Sequence, residues 1–178
     1  MAKRQISRLN DPRMTASAVL VPIFKKNGQY HLLFMQRTER VKDHKGQISF
    51  PGGAYEKEDN ELLNTALREA EEEIGLAPHD VEVLGELDDM LTVATSYIIS
   101  PFVGLIPYPY PFKLDHFETE ELIEVPIATL LDKNCFSESK SISNGQEIEV
   151  YFYKYENKVI WGATARILKQ FLGIVASL

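Results

Sequence analysis

Arg68-Glu69-Ala70-Glu71-Glu72-Glu73-Ile74-Gly75-Leu76, set a short step after Phe50-Pro51-Gly52-Gly53, is the stretch from which the fold and the chemistry are read. Its glutamates lie on a segment whose apolar residues, Leu62, Leu63, Ala66, Leu67, Ala70 and Ile74, recur at helical spacing. A helix is therefore expected over 61–74, its start marked by Asp59 and Asn60 and its end by Gly75. At about 100° per residue, Glu69, Glu72 and Glu73 share one side, with Glu69 and Glu73 at the edge of the apolar stripe and Glu71 pointing away. Half-buried carboxylates this close repel one another unless a cation neutralises them. Hard oxygen donors of this kind suit magnesium, manganese or calcium. Pro51 and two glycines let backbone come close, so a carbonyl of Gly52 or Gly53 would complete a coordination shell begun by the helix. An exposed acidic face is the ordinary meaning of a glutamate cluster, and Pro-Gly-Gly alone means a turn. Their adjacency is what favours a metal site.

Outward from that pair, 16–24 and 30–36 read as strands joined at Lys25-Lys26-Asn27-Gly28, where Asn-Gly is a hairpin signal. The polar stretch 37–49 reads as a functional loop. Strands are expected over 81–87 and 98–106, and Pro107-Tyr108-Pro109-Tyr110-Pro111 must be loop. A short helix is expected at 127–131, strands at 148–155 and 159–161 turning at Asn157, and a last amphipathic helix at about 165–174. The stretch 118–124 reads as an exposed acidic segment. Strands mixed with two good helices predict an α/β sandwich in one domain, 16–178, preceded by a basic extension over 1–15.

The chain has 178 residues, 44% hydrophobic and 25% charged, ample for one core. Residues 1–46 carry ten Lys or Arg against three acids, whereas 47–178 carry nine against twenty-three. A basic quarter beside an acidic helix suits a substrate with several phosphates, some met by metal and others by Lys and Arg. Lys3, Arg4, Arg8 and Arg13 read instead as a solvated tail. An acidic total disfavours a nucleic-acid binder. No apolar run of about 18 residues is present and Met1–Ser7 has no apolar stretch behind it, so neither a membrane span nor a secretory leader is expected. Cys135 is the single cysteine, which fits a reducing cytoplasm.

The glutamate segment resembles the Nudix box, Gly-x5-Glu-x7-Arg-Glu-apolar-x-Glu-Glu-x-Gly-apolar. Arg68, Glu69, Ala70, Glu72, Glu73, Gly75 and Leu76 match its second half. From Gly53 the loop is one residue longer, and the first acidic position falls on Asp59. That departure, and Arg37, Lys42, Gly46, Phe50, Pro51, Gly52 and Gly53 ahead of it, resemble the coenzyme A diphosphatase branch, with Lys42 standing for arginine. Ile160-Trp161-Gly162-Ala163-Thr164-Ala165-Arg166 is similar to that branch too. The likeness runs from residue 16 to 172. Thr38 and Phe34-Met35 depart from the branch pattern.

The resemblance implies a Nudix-type α/β/α sandwich with a mixed β-sheet and a loop–helix–loop. It implies a Mg2+- or Mn2+-dependent hydrolase that splits a diphosphate bond, coenzyme A or acyl-CoA giving phosphopantetheine and adenosine 3′,5′-bisphosphate. Glu69, Glu72, Glu73 and a Gly52 carbonyl would hold metal. Glu69 or Glu73 would also handle the proton of the attacking water, Arg68 would orient a carboxylate, and Glu118 and Glu121 are candidates for a further carboxylate from outside the box. Arg37, Lys42, Phe50 and Gly53 would meet the substrate, Arg37 and Lys42 at its 3′-phosphate, with Arg40, Lys45 and His44 nearby. Trp161 is expected in the core. The expected partner is a small molecule, with the oligomeric state open and a homodimer among its options. Rival readings are an ADP-ribose or nucleoside diphosphate sugar pyrophosphatase and a non-catalytic nucleotide-sensing domain.

Overall fold

Asn27 and Gly28 both sit at positive φ, which closes strand β1 (Thr15–Lys26) onto β2 (Gln29–Arg37) in register Lys26↔Gln29. The computed structural model describes residues 5–41, 44–92, 96–143 and 145–177. β1 is the organising strand. It runs parallel to β7 (Tyr97–Leu105) along one side. Along the other it pairs first with β4 (Gly52–Ala54) and then with β2. Pro22, which has no N–H to donate, stands where β1 has left β4 and not yet joined β2. β3 (Ile48–Ser49) and β8 (Thr119–Pro126) flank β2, while β5 (Glu82–Glu86) and β6 (Met90–Leu91) pair with β7. Among the described residues one parallel pair, β1 with β7, stands among antiparallel ones, which makes this a mixed sheet.

Alternation along β1 and β2 sends side chains to two cores. Ala18, Leu20, Phe24, Leu33 and Met35 face Ala66, Ala70 and Ile74 of helix α1 (Leu62–Ile74). Val21, Ile23, Leu32 and Phe34 face the opposite layer. That layer holds the short helix α2 (Ile127–Leu130), helix α3 (Gly162–Val175), and a second sheet of β9 (Phe136–Ser143), β10 (Gln146–Tyr155) and β11 (Lys158–Trp161). The sandwich is thus α1, mixed sheet, then α3 with its small sheet. Among the described residues no helix is long and apolar enough to cross a membrane.

Several expectations change. The acidic stretch after Glu118 is a paired strand, β8, with Thr119, Ile123 and Val125 buried against β2. β9 lacks apolar alternation and escaped the sequence reading. α3 starts at Gly162, ahead of the expected 165. Trp161 is 45% exposed, not core, because Ile160 takes the inward position of β11 and alternation turns Trp161 out. Arg8 is not a solvated tail residue: it pairs with Glu86 and, at 2.6 Å, with Asp89.

Candidate active site

Gly75 ends α1 in the left-handed conformation at φ 69°, and it has no room for a side chain because the Lys113 backbone passes close by. The loop after the Pro-Tyr-Pro-Tyr-Pro stretch therefore lies on the helix end. Lys113 N–H donates to Ile74 O at 3.0 Å, Asp115 N–H to Glu73 O at 3.1 Å, and Thr119 Oγ1 also to Glu73 O at 3.1 Å. These bonds satisfy the orphan carbonyls of α1 and bring Glu118 to the glutamate cluster.

Glu73 is the buried member, 4% exposed. The Gly52 N–H donates to its Oε2 at 3.0 Å, and Arg37 donates to its Oε1 at 3.2 Å. Arg37 also reaches Glu118 Oε2 at 3.2 Å, so one guanidinium bridges a helix carboxylate and a loop carboxylate. Burial is the main reason the Glu73 carboxyl is pushed from 4.5 to about 8; the Gly52 amide and Arg37 oppose this, and Glu69 and Glu118 add to it. Glu69 is pushed up as well, by burial first, with Arg68 opposing. Its carboxylate lies against Gly53 so closely that a Cβ there would collide with it. Glu72 is 60% exposed and Glu71 is exposed.

Arg68 ties the cluster to the loop. It donates to Asp59 Oδ1 at 2.8 Å and Oδ2 at 3.2 Å, to Glu69 at 2.9 Å, to Glu72 at 3.3 Å, and to Ala54 O at 3.2 Å. Asp59 is not the helix N-cap; Glu61 is. The buried Asp59 carboxylate instead accepts from Arg68, from Thr65 Oγ1 at 2.8 Å and from Glu56 N–H at 2.9 Å, and Arg68 holds it well below the usual carboxylate range.

The structure thus brings Glu69, Glu73, Arg68, Gly52, Gly53 and Arg37 together, with Glu72 at the solvent side. Two expectations are corrected. Phe50 does not face a ligand: it is 3% exposed and stacked on Phe34, with ring centroids 4.7 Å apart. Arg37, at the end of β2 with a mostly buried side chain, is engaged by Glu73 and Glu118 rather than free for a phosphate. Gly52 contributes an N–H to the cluster. Lys42 lies outside the described residues, while Arg40 and Lys45 are exposed. Glu121 pairs with Lys158, away from the cluster. The sequence reading missed Thr65, the Asp59–Arg68 pair and the Arg37 bridge; only an acid nine residues before Arg68 signalled the pair.

Among the described residues no three acidic or imidazole side chains converge into a ready metal cage, since Arg68 stands between Glu69 and Glu72 and Arg37 holds Glu73. The donor chemistry still fits a hard dication: carboxylate oxygens, two of them with raised pKa, beside a glycine-rich strand. Without metal, the folded chain between pH 4.5 and about 8 holds a proton on Glu73 that the unfolded chain has lost. Stability should therefore fall as pH rises across that window. Asp59, shifted the other way, acts at more acid pH. Urea denaturation in chelator should show this fall, and Glu73→Gln should flatten it; an unchanged slope would mean that Glu73 is not the group responsible.

The NUDIX domain profile matches residues 14–125. The chain is 37% identical over 163 residues to a Photorhabdus laumondii protein named "Uncharacterized Nudix hydrolase NudL", covering 92% of this chain and 86% of that one. The fold is like that of a MutT/nudix family protein from Enterococcus faecalis, with a TM-score of 0.65 at 15% identity over 94% of this chain; the chain spans 64% of that protein's length. It is also like the NUDIX domain of Shewanella oneidensis NrtR complexed with ADP ribose, with a TM-score of 0.53, 19% identity, and coverage of 68% of this chain and 81% of that one.

Proposed function

This chain belongs to the Nudix family, and from that premise we propose that it hydrolyses a diphosphate bond in a nucleoside diphosphate derivative, coenzyme A or acyl-CoA foremost. The observation that carries the reaction is the buried Glu73 held between Gly52 and Arg37, on the same helix side as Glu69 and Glu72. Glu69, Glu72, Glu73 and a Gly52 carbonyl would hold Mg2+ or Mn2+. When bound, the metal supplies charge neutralisation at phosphate oxygens and a more acidic water. Arg68 fixes the Glu69 and Glu72 carboxylates, itself anchored by Asp59. Arg37 sets Glu73 and brings Glu118 to the same place as a further carboxylate. Glu69 or Glu73 takes the proton of the attacking water.

Preference for coenzyme A rests on the sequence signature from Arg37 to Gly53. With Arg37 engaged by carboxylates, the 3′-phosphate falls to Arg40 and Lys45, the exposed cations among the described residues of the 38–47 loop. Rates at fixed Mn2+ on coenzyme A, its 3′-dephospho form and ADP-ribose test this. Coenzyme A should give the highest kcat/KM. Equal values on all three would remove the phosphate role of that loop. A clear preference for ADP-ribose, the ligand of the NrtR domain that shares this fold, would favour the alternative substrate class. Absence of hydrolysis of any of them would favour the nucleotide-sensing alternative.

A further inference from the structure

β9 is the outer strand of the small sheet, and among the described residues it pairs with β10 alone. An eight-residue open edge invites a further strand. The Lys154 N–H donates to Cys135 O at 2.8 Å. Antiparallel pairing alternates, so Ser137, Ser139 and Ser141 also turn their backbone groups toward β10. Glu138, Lys140 and Ile142 turn theirs away from the sheet.

The outward residues form a pattern. About Ser139, the strand Phe136-Ser137-Glu138-Ser139-Lys140-Ser141-Ile142 reads apolar, Ser, acid, Ser, base, Ser, apolar. Set against a second copy across a two-fold axis at Ser139, Glu138 lies opposite Lys140 twice and Phe136 opposite Ile142 twice. Glu138 and Lys140 both carry outward N–H and C=O groups, so backbone pairing and charge pairing demand one register. An axis at Glu138 or Lys140 would oppose like charges. An axis at Ser137 or Ser141 would set Glu138 against Phe136 or Lys140 against Ile142.

We propose that two copies of this chain join edge to edge through β9, merging their small sheets into one across an axis at Ser139. Two further observations support a second copy as the occupant. Lys169 lies 3.5 Å from Glu138, and Lys140 bonds Glu147 at 2.7 Å. The joined edges therefore give an alternating row: Lys169, Glu138, then Lys140 and Glu147 of the second copy. Ile142 is 79% exposed, and the same register lays Phe136 of the second copy over it. Isolated charges on an edge strand usually keep other strands away. Opposite charges two residues apart around a serine repel a foreign edge and match their own.

Sedimentation velocity of the full chain over a concentration series tests this. The wild type should reach a dimer. E138K and K140E should each weaken association by at least about a hundredfold, since each opposes like charges across the axis. Mixing the two variants should restore the dimer, as should the double variant E138K/K140E. Ile142→Asp, at a side chain already in solvent, should weaken it too without touching the fold. A monomeric wild type, indifference to all these substitutions, or a mixture that stays monomeric would overturn the proposal. None of these outcomes depends on the diphosphatase reading.

Discussion

Glu73→Gln is expected to lower kcat by roughly a thousandfold or more while leaving the chain folded. Glutamine keeps the shape of the side chain and an oxygen for the Gly52 N–H, but it carries no charge for a dication and no basic oxygen for a proton. The same change removes a buried carboxyl whose pKa is pushed up to about 8. Above that pH the variant should therefore be more stable than the wild type in chelator, not less. Lost activity with gained stability is hard to obtain from a purely structural residue. Glu72→Gln should cause a similar drop in turnover with little change in stability, because Glu72 is largely in solvent. Steady-state kinetics at saturating Mn2+, beside urea curves, check both. Near-wild-type turnover in either variant would take that glutamate out of the ligand set.

Arg68→Ala should be the most damaging change to stability in the site, costing about 3 kcal/mol, because removing one partner of a buried ion pair leaves the other uncompensated. The residue left is Asp59, whose side chain is 4% exposed and would keep only Thr65 and the Glu56 amide. Its ionised form, now held by Arg68, would face burial without a countercharge. Glu69 and Glu72 would lose their shared donor as well. A shift in the urea midpoint at unchanged slope measures the loss. A cost below about 1 kcal/mol, the range of exposed pairs, would show that Asp59 finds other compensation.

Much of this molecule is legible from local pattern. The Asn27-Gly28 hairpin, the long apolar strands and α1 follow from turn chemistry and periodicity, which act over a few residues. That Glu69, Glu72 and Glu73 share one side of α1 follows from helix geometry alone. What escaped was set by tertiary partners. β8 is rich in glutamate, so its alternation with Ile123 and Val125 is visible only once β2 lies beside it. Asp59 has the composition of a cap, yet the approach of Arg68 from the next turns gives it a different task. Arg37 and Glu118 are 81 residues apart, and no local signal tells that they meet at Glu73. Phe50 and Trp161 show the limit in reverse: Phe50 is taken into the core by stacking on Phe34, and strand alternation turns Trp161 out.

Glu69, Glu72 and Glu73, facing Gly52 and Gly53, are expected to take up a divalent cation. Anomalous scattering from crystals soaked in Mn2+ examines it directly. The expected result is a manganese peak in contact with oxygens of at least two of these three glutamates, with Arg68 or Arg37 moved aside. A well-soaked crystal with its manganese elsewhere, or with no peak between those carboxylates and the glycine strand, would show that these glutamates are not the metal ligands.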